Sequence, residues 1–323
     1  MDIRSPAEVV LPPLMRSGGE LGPETLSALC GHPQFPRAMR AVLAGHVGLY
    51  RGNRIANYVG YDRGRLVVGL FALYLHVSRR PDDPTSGLTV HSLQSLCAEQ
   101  DVCSPGRARA MLSVLRLFGY VAPAPGSDRR YKLLAPTDLL TAWLRQRWSM
   151  LFGALAMVLP EGIDALARLE RDDFTAALVR QVVHHYRSGL RALQVTPELG
   201  LFAERNAGLN ILFSLVIAGD VDDTMPPARP VRISISELAR RFSVSRPHVL
   251  RLLRDAAAQG LVARAGTAQD AVTILPPLAH ALGDGVAIFF LVFAQCARAA
   301  IAEVSACPGE VDAGSPTRTR ANA

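Results

Sequence analysis

The sequence predicts a mainly α-helical protein with small β wings: two tandem winged helix-turn-helix units packed through long helices as a pseudo-dimer. Three observations predict it. The stretch from Ser104 to Pro136 recurs from Ser245 to Pro277, gapless, at a constant offset of 141 residues. Each copy holds the same order of roles: a helix start, an amphipathic helix, a glycine stop (Gly119, Gly260) and a short strand pair. A long apolar helix then follows each copy, Thr141 to Leu159 and Ala281 to Ala302. That order is how a helix-turn-helix with a β wing is written in sequence, and it points to duplex DNA.

Composition sets the outer bounds. A chain of 323 residues is expected to form two domains of ordinary size. With 49% hydrophobic but only 6% aromatic residues, the cores must be mostly Leu, Val and Ala. The net charge is +7, and Lys132 is the sole lysine among the cations. Arginine offers a planar fork that suits phosphate and guanine edges, although a GC-rich genome also encodes it freely. A basic balance favours a polyanionic partner. Cys30, Cys97, Cys103, Cys296 and Cys307 form an odd set without zinc-type spacing, which reads as a reduced, cytoplasmic protein. The N-terminus lacks a basic start followed by an apolar run, so no signal peptide is expected. The apolar stretch Val286 to Ala297, bounded by Asp284 and Arg298, is short for a bilayer. It reads as a buried helix, with no membrane partner.

Along the chain, residues 1–37 carry many Pro and Gly and read as a mobile arm with one short helix. The first winged-helix domain spans 38–160 and the second 161–303, joined at Pro160-Glu161-Gly162. Residues 304–323 read as a disordered tail. Arg65 to Arg79 is a nearly continuous apolar helix, matched by Ala207 to Ala218. Asp-Asp and Pro loops follow both and lead into short extended pieces, Leu88 to Val90 and Val231 to Ile233. Next come helices at Ser92 to Gln100 and Glu237 to Phe242. Ser234 and Glu237 have the spacing of a capping box. Tyr50-Arg51 and Tyr186-Arg187 sit in comparable upstream helices.

The reading helices follow. Ser104 is the N-cap of the first, with Pro105 at its opening position. Ala108, Met111, Leu112, Leu115 and Phe118 share one buried face, which leaves Arg107, Arg109 and Ser113 outward or at the edge. In the second helix Ser245 is the cap, and Val249, Leu252, Leu253 and Ala256 face inward. Arg246, His248, Arg251 and Arg254 remain outside, and Arg240 and Arg241 lie just upstream. A helix that enters a major groove needs first turns that are polar, basic and uncluttered, and both meet that requirement. An ordinary surface helix also has a polar outer face, so the shared turn, helix and wing carry the argument.

The first wing is the most specific local signal. Val121 to Ala124 and Arg130 to Leu134 are expected to pair across Pro125-Gly126-Ser127-Asp128, with Arg129, Arg130 and Lys132 near the tip. A basic hairpin tip reaches phosphates or a minor groove beside a reading helix. The segment Asp128-Arg129-Arg130-Tyr131-Lys132-Leu133-Leu134-Ala135-Pro136-Thr137 resembles the wing of MarR-type regulators, departing from their pattern at Pro136. The resemblance covers the wing closely and the preceding helix-turn-helix loosely, from Leu88 to Leu140. It implies a winged helix in which a wing-tip Arg enters the minor groove, a role that falls to Arg130 with Arg129 beside it. It also implies dimeric action through the outer helices, here within one chain, and a small-molecule effector pocket for which no residue identifies a ligand. The second wing, Arg264 to Thr273, keeps one cation and departs from the pattern.

Other constellations carry less. His184 and His185 point about 100° apart on a helix and make a poor chelating pair. Cys103 stands just before the first reading helix, with Cys97 six residues earlier, but nothing marks a depressed thiol pKa. The sequence holds no phosphate-cradling glycine loop, nucleophile elbow, metal signature or paired catalytic carboxylates. The expectation is a non-enzymatic transcriptional regulator that binds double-stranded DNA without cofactor or metal, as a pseudo-dimeric monomer or a homodimer. Its contacts would come from Ser104, Arg107, Arg109, Ser113, Arg129, Arg130, Lys132, Arg240, Arg241, Ser245, Arg246, His248 and Arg251. Two alternatives remain open: a plasmid-type replication initiator with two winged helices, and a tandem winged-helix module that binds protein.

Overall fold

The computed structural model describes residues 21–49, 63–80, 82–83, 85–125, 132–189, 195–220, 224–265 and 271–306. The chain is mainly helical with small antiparallel sheets. Its first part runs α1 (Pro23–Cys30), α2 (Phe35–Gly48), α3 (Arg63–Val77), α4 (Val90–Glu99), α5 (Pro105–Leu117), β1 (Val121–Pro123), β2 (Leu134–Pro136) and α6 (Asp138–Leu155). Its second part runs α7 (Glu161–Leu166), α8 (Asp172–Arg187), α9 (Gly200–Glu204), α10 (Gly208–Ile217), β3 (Val231–Arg232), α11 (Ile235–Arg241), α12 (Arg246–Ala258), β4 (Val262–Ala265), β5 (Ala271–Ile274) and α13 (Pro276–Ala306).

Both ends of the body extend further than the sequence suggests. The arm read over 1–37 is ordered structure from Leu21 onward, because Leu21, Leu29 and Phe35 are buried. Their cover comes from the far end of the chain: α1 packs on α13, and the Phe35 ring meets Phe290 edge-on with centroids 6.3 Å apart. At the other end, α13 continues through the first residues of the expected tail. Arg180 Nε donates to Glu303 Oε1 at 2.7 Å, and Gln181 donates to Oε2 at 2.9 Å. By length and composition α13 also meets the criteria for a membrane-crossing helix, but much of its surface lies in the protein core.

The helix contacts recur in pairs that cross between the two parts. Helix α2 packs on α6 of its own part and on α10 of the other. Helix α8 packs on α13 of its own part and on α3 of the other. Each bridging helix also sends one arginine to the last carbonyls of the helix it reaches. Arg40 donates to the carbonyls of Ile217 (3.2 Å), Gly219 (3.0 Å) and Asp220 (2.7 Å) beyond α10. Arg180 donates to the carbonyl of Val77 at the end of α3, at 3.2 Å. A guanidinium there supplies donors to orphan carbonyls and a charge that suits the helix dipole. The two long helices meet through the rings of Trp148 and Phe152 against Phe293, with centroids 6.4 and 6.0 Å apart. Most of the join is made by the bridging helices rather than by that pair.

At Pro160-Glu161-Gly162 the chain turns sharply. A Cβ on Gly162 would fall 2.3 Å from the Ala156 nitrogen, so only glycine fits. Glu161 is tied to Arg298 of α13 at 2.6 Å.

Candidate nucleic-acid interface

The pair expected to form the first helix-turn-helix corresponds to α4 and α5. Thr89 and Ser92 form a reciprocal capping box at the start of α4, with bonds of 3.0 and 2.9 Å. The chain leaves α4 through Asp101 at φ +50° and is drawn back by a 2.9 Å bond from the Val102 amide to the Cys97 carbonyl. Ser104 Oγ then accepts the Arg107 amide at 3.4 Å, and Pro105 opens α5. The second unit, α11 and α12, repeats these steps. Ser243 stands at φ +53°, the Val244 amide reaches the Ala239 carbonyl at 3.0 Å, and Ser245 Oγ accepts the His248 amide at 3.2 Å. The first turn holds one residue more, Cys103, just before the gapless stretch. Ser234 Oγ accepts the Glu237 amide at 3.2 Å, the N-cap half of the expected capping box.

The buried faces of α5 and α12 are equivalent, residue for residue. Ala108, Met111, Leu112 and Leu115 of α5 match Val249, Leu252, Leu253 and Ala256 of α12. Gly119 at φ +74° and Gly260 at φ +68° end the two helices. The strand pairs follow. β1 and β2 pair antiparallel with Val121 opposite Pro136 and Pro123 opposite Leu134. This ladder lies nearer the C-terminus than the Arg130 to Leu134 strand that the sequence suggests. It forms where Val121 and Leu134 are buried, and the Leu134 amide is drawn to the Leu88 carbonyl at 2.8 Å. In the second unit β5 lies between β3 and β4.

The expected contact residues divide into four groups. Arg107, Arg109, Lys132, Arg240, Arg246 and Arg251 are exposed. Ser104, Ser245 and Ser113 are exposed as well, but their hydroxyls serve the helices, and Ser113 Oγ donates to the Arg109 carbonyl at 3.0 Å. Arg241 and His248 are partly covered. Arg241 leans over the Phe242 ring at 5.6 Å and reaches the Val47 carbonyl of α2 at 3.5 Å. The His248 ring lies 2.9 Å from the Asn206 carbonyl. Arg129 and Arg130, central to the resemblance, lie outside the described residues, as does Tyr50-Arg51. The exposed Arg116 and Arg254 extend the two basic faces. Arg254 falls on the outer face by helical spacing. Arg205 and Asn206, which flank α12, carry no periodic signal that could have marked them.

Among the described residues no group of three or more His, Cys, Asp or Glu side chains is placed to hold a metal ion. His184 and His185 lie with ring centroids 6.2 Å apart. Comparison with protein-family models, with curated proteins and with solved structures finds no match for this chain.

Proposed function

We propose that this chain is a sequence-specific regulator of transcription that binds duplex DNA through two winged helix-turn-helix units joined as an internal pseudo-dimer. One observation carries the reading. Two capped helices of equal length, α5 and α12, bury equivalent faces, carry exposed arginines on the other side, and each run into a strand pair. A helix held by its apolar face at the back of such a unit presents its first turns to a groove. Arginines on those turns serve phosphates and guanine edges. The crossed packing of α2 and α8 holds both units in one body, as a dimer would. On this reading the two helices lie about one DNA turn apart, roughly 34 Å. The wing at Lys132 flanks the groove beside α5, and the protein works as a monomer in the cytoplasm.

Selection of bound sequences from random duplex DNA tests this. The expected result is enrichment of a defined sequence, with binding that weakens steeply as salt rises. Arg107→Ala is expected to weaken the selected site by about 1–3 kcal/mol and to relax preference at its contacted base pair. No enrichment of any sequence by the parent protein sinks the reading. Genomic mapping then separates a regulator, with sites scattered over promoters, from an initiator bound at one origin.

A further inference from the structure

The turns between α4 and α5 and between α11 and α12 differ by one residue, and that residue is a cysteine. The Val102 amide bonds to the Cys97 carbonyl at 2.9 Å, as the Val244 amide bonds to the Ala239 carbonyl at 3.0 Å, so Cys97 and Ala239 hold matching places. Ser245 follows Val244 directly, whereas Cys103 stands between Val102 and Ser104. The inserted residue meets a partner within its own turn. Cys97 is buried on α4, and its thiol donates a hydrogen bond to the Cys103 sulfur. Cys103 packs against the core yet stays partly exposed. Burial, and then the Cys103 sulfur beside it, pushes the Cys97 pKa up to about 12, so the proton stays on Cys97. One sulfur is thus shielded and protonated. Its neighbour meets solvent just before a helix N-terminus, where negative charge is favoured. Peroxide chemistry needs such a pair: an accessible sulfur to be oxidised and a second thiol to resolve it.

We infer that Cys97 and Cys103 form a reversible dithiol pair, oxidised to a disulfide by hydrogen peroxide, whose closure displaces the start of α5. The effect on DNA rests on the function proposed above; the thiol chemistry stands apart from it. Cys103 gives up its proton and attacks the peroxide as thiolate. The O–O bond breaks, the sulfur becomes a sulfenic acid, and the released hydroxide takes the proton and leaves as water. The Cys97 sulfur then attacks the sulfenic sulfur. Its S–H bond breaks, the S–S bond forms, and the proton leaves with the hydroxyl group as a second water. Two thiols and one peroxide give one disulfide and two waters, with sulfur oxidised and peroxide oxygen reduced. A thiol reductant reverses the step by exchange. The two sulfurs close from hydrogen-bond contact to a bond of about 2 Å. Cys97 is held in the core, so the movement falls on Cys103 and Ser104. Ser104 Oγ holds the Arg107 amide at 3.4 Å, a long bond with little to spare. Oxidation therefore loosens the cap of α5 and shifts its first turn.

Titration of the full chain with hydrogen peroxide, with peptide masses and DNA binding read on the same samples, tests this. One tryptic peptide holds both cysteines, since no Arg or Lys lies between Cys97 and Arg107. The expected result is the loss of two hydrogens from that peptide, reversed by dithiothreitol. Cys103→Ser is expected to abolish the loss. So is Cys97→Ala, which places there the residue that α11 carries at Ala239. Cys103→Ser, at a partly exposed site, keeps the test open if Cys97→Ala fails to fold. Binding to the selected duplex is expected to weaken about tenfold on oxidation, as for the loss of one helix cap, and to recover on reduction. The Cys103→Ser protein should bind alike with and without peroxide. A folded parent that keeps both thiols, or stops at oxides of Cys103 alone, overturns the pair. A disulfide that leaves binding unchanged overturns the displacement of α5 and leaves DNA recognition standing. A reduced parent that binds no duplex sinks the proposed function and the effect on DNA with it, while the peptide mass still decides the thiol pair.

Discussion

At the scale of single residues, burial decides which titratable groups are usable. His46 on α2 is packed against the Phe213 ring of α10, with centroids 5.3 Å apart. Burial and then the charge of Arg147 push its imidazole pKa down to about 3, against a partly offsetting hydrogen bond with Asn210. The folded protein therefore keeps this ring neutral where an unfolded chain, titrating near 6.5, takes up a proton. Its contribution is fully present above about pH 6.5 and is lost as the pH falls toward 3. His76 and His185 shift in the same direction, chiefly by burial. The expected outcome is an acid-side stability slope of up to about 1.4 kcal/mol per pH unit from His46, and His46→Gln should flatten it in urea titrations between pH 6 and 4. A slope unchanged in that variant removes His46 from the account. The thiols behave alike. Burial, then the neighbouring Cys103, pushes Cys97 up to about 12, and burial raises Cys296 as well. Thiolates react and thiols do not, so a disulfide reagent at pH 8 should label neither cysteine until the protein is unfolded. Rapid labelling of Cys97 in the native state would contradict this.

At the scale of elements, α5 and α12 depend on their ends. Gly260 at φ +68° has open space around the position of a Cβ, so its replacement costs backbone conformation alone. Gly260→Ala should lower stability by about 1–2 kcal/mol, the penalty of a left-handed L-residue, read from the urea midpoint. Gly162→Ala belongs to another class, since the added methyl meets backbone at 2.3 Å and the turn between α6 and α7 has to open. That variant should lose far more, and a loss equal to that of Gly260→Ala would show the turn to be slack. Thr137 shows how an element is reused. Its hydroxyl does not cap α6 but donates to the Gly119 carbonyl at 2.7 Å, which fastens the end of β2 to the end of α5.

At the scale of the molecule, the crossed helices make the two units one folding body. Phe71 of α3 packs on Tyr186 of α8, at 5.5 Å, so each part lends a bridging helix to the other's core. Neither part can keep its core once the other is removed. Urea unfolding followed by the fluorescence of Trp143 and Trp148, both in the first part, and by far-UV ellipticity should therefore give one coincident transition. Two separated transitions would mean independent halves. Loss of the Arg40 guanidinium serves as the finer probe. Arg40→Ala leaves three carbonyls beyond α10 without their donor and should cost about 1–2 kcal/mol, with both units destabilised together.

The sequence by itself determined the periodic features. Ala108 to Leu115 and Val249 to Ala256 repeat an apolar face every three to four residues, and Ser104, Ser245, Gly119 and Gly260 mark where those helices begin and end. These are local constraints of backbone geometry and water exclusion, which the order of residues records directly. Tertiary structure alone decided what covers what. The cover of Leu21 and Phe35 by α13, the reach of Arg40 to α10 and the engagement of His248 by Asn206 join residues far apart in the chain. An exposed arginine and a committed one look alike in a helical repeat. Only the packing of the neighbouring segment separates Arg251, left at the surface, from Arg241 and His248, turned toward the protein.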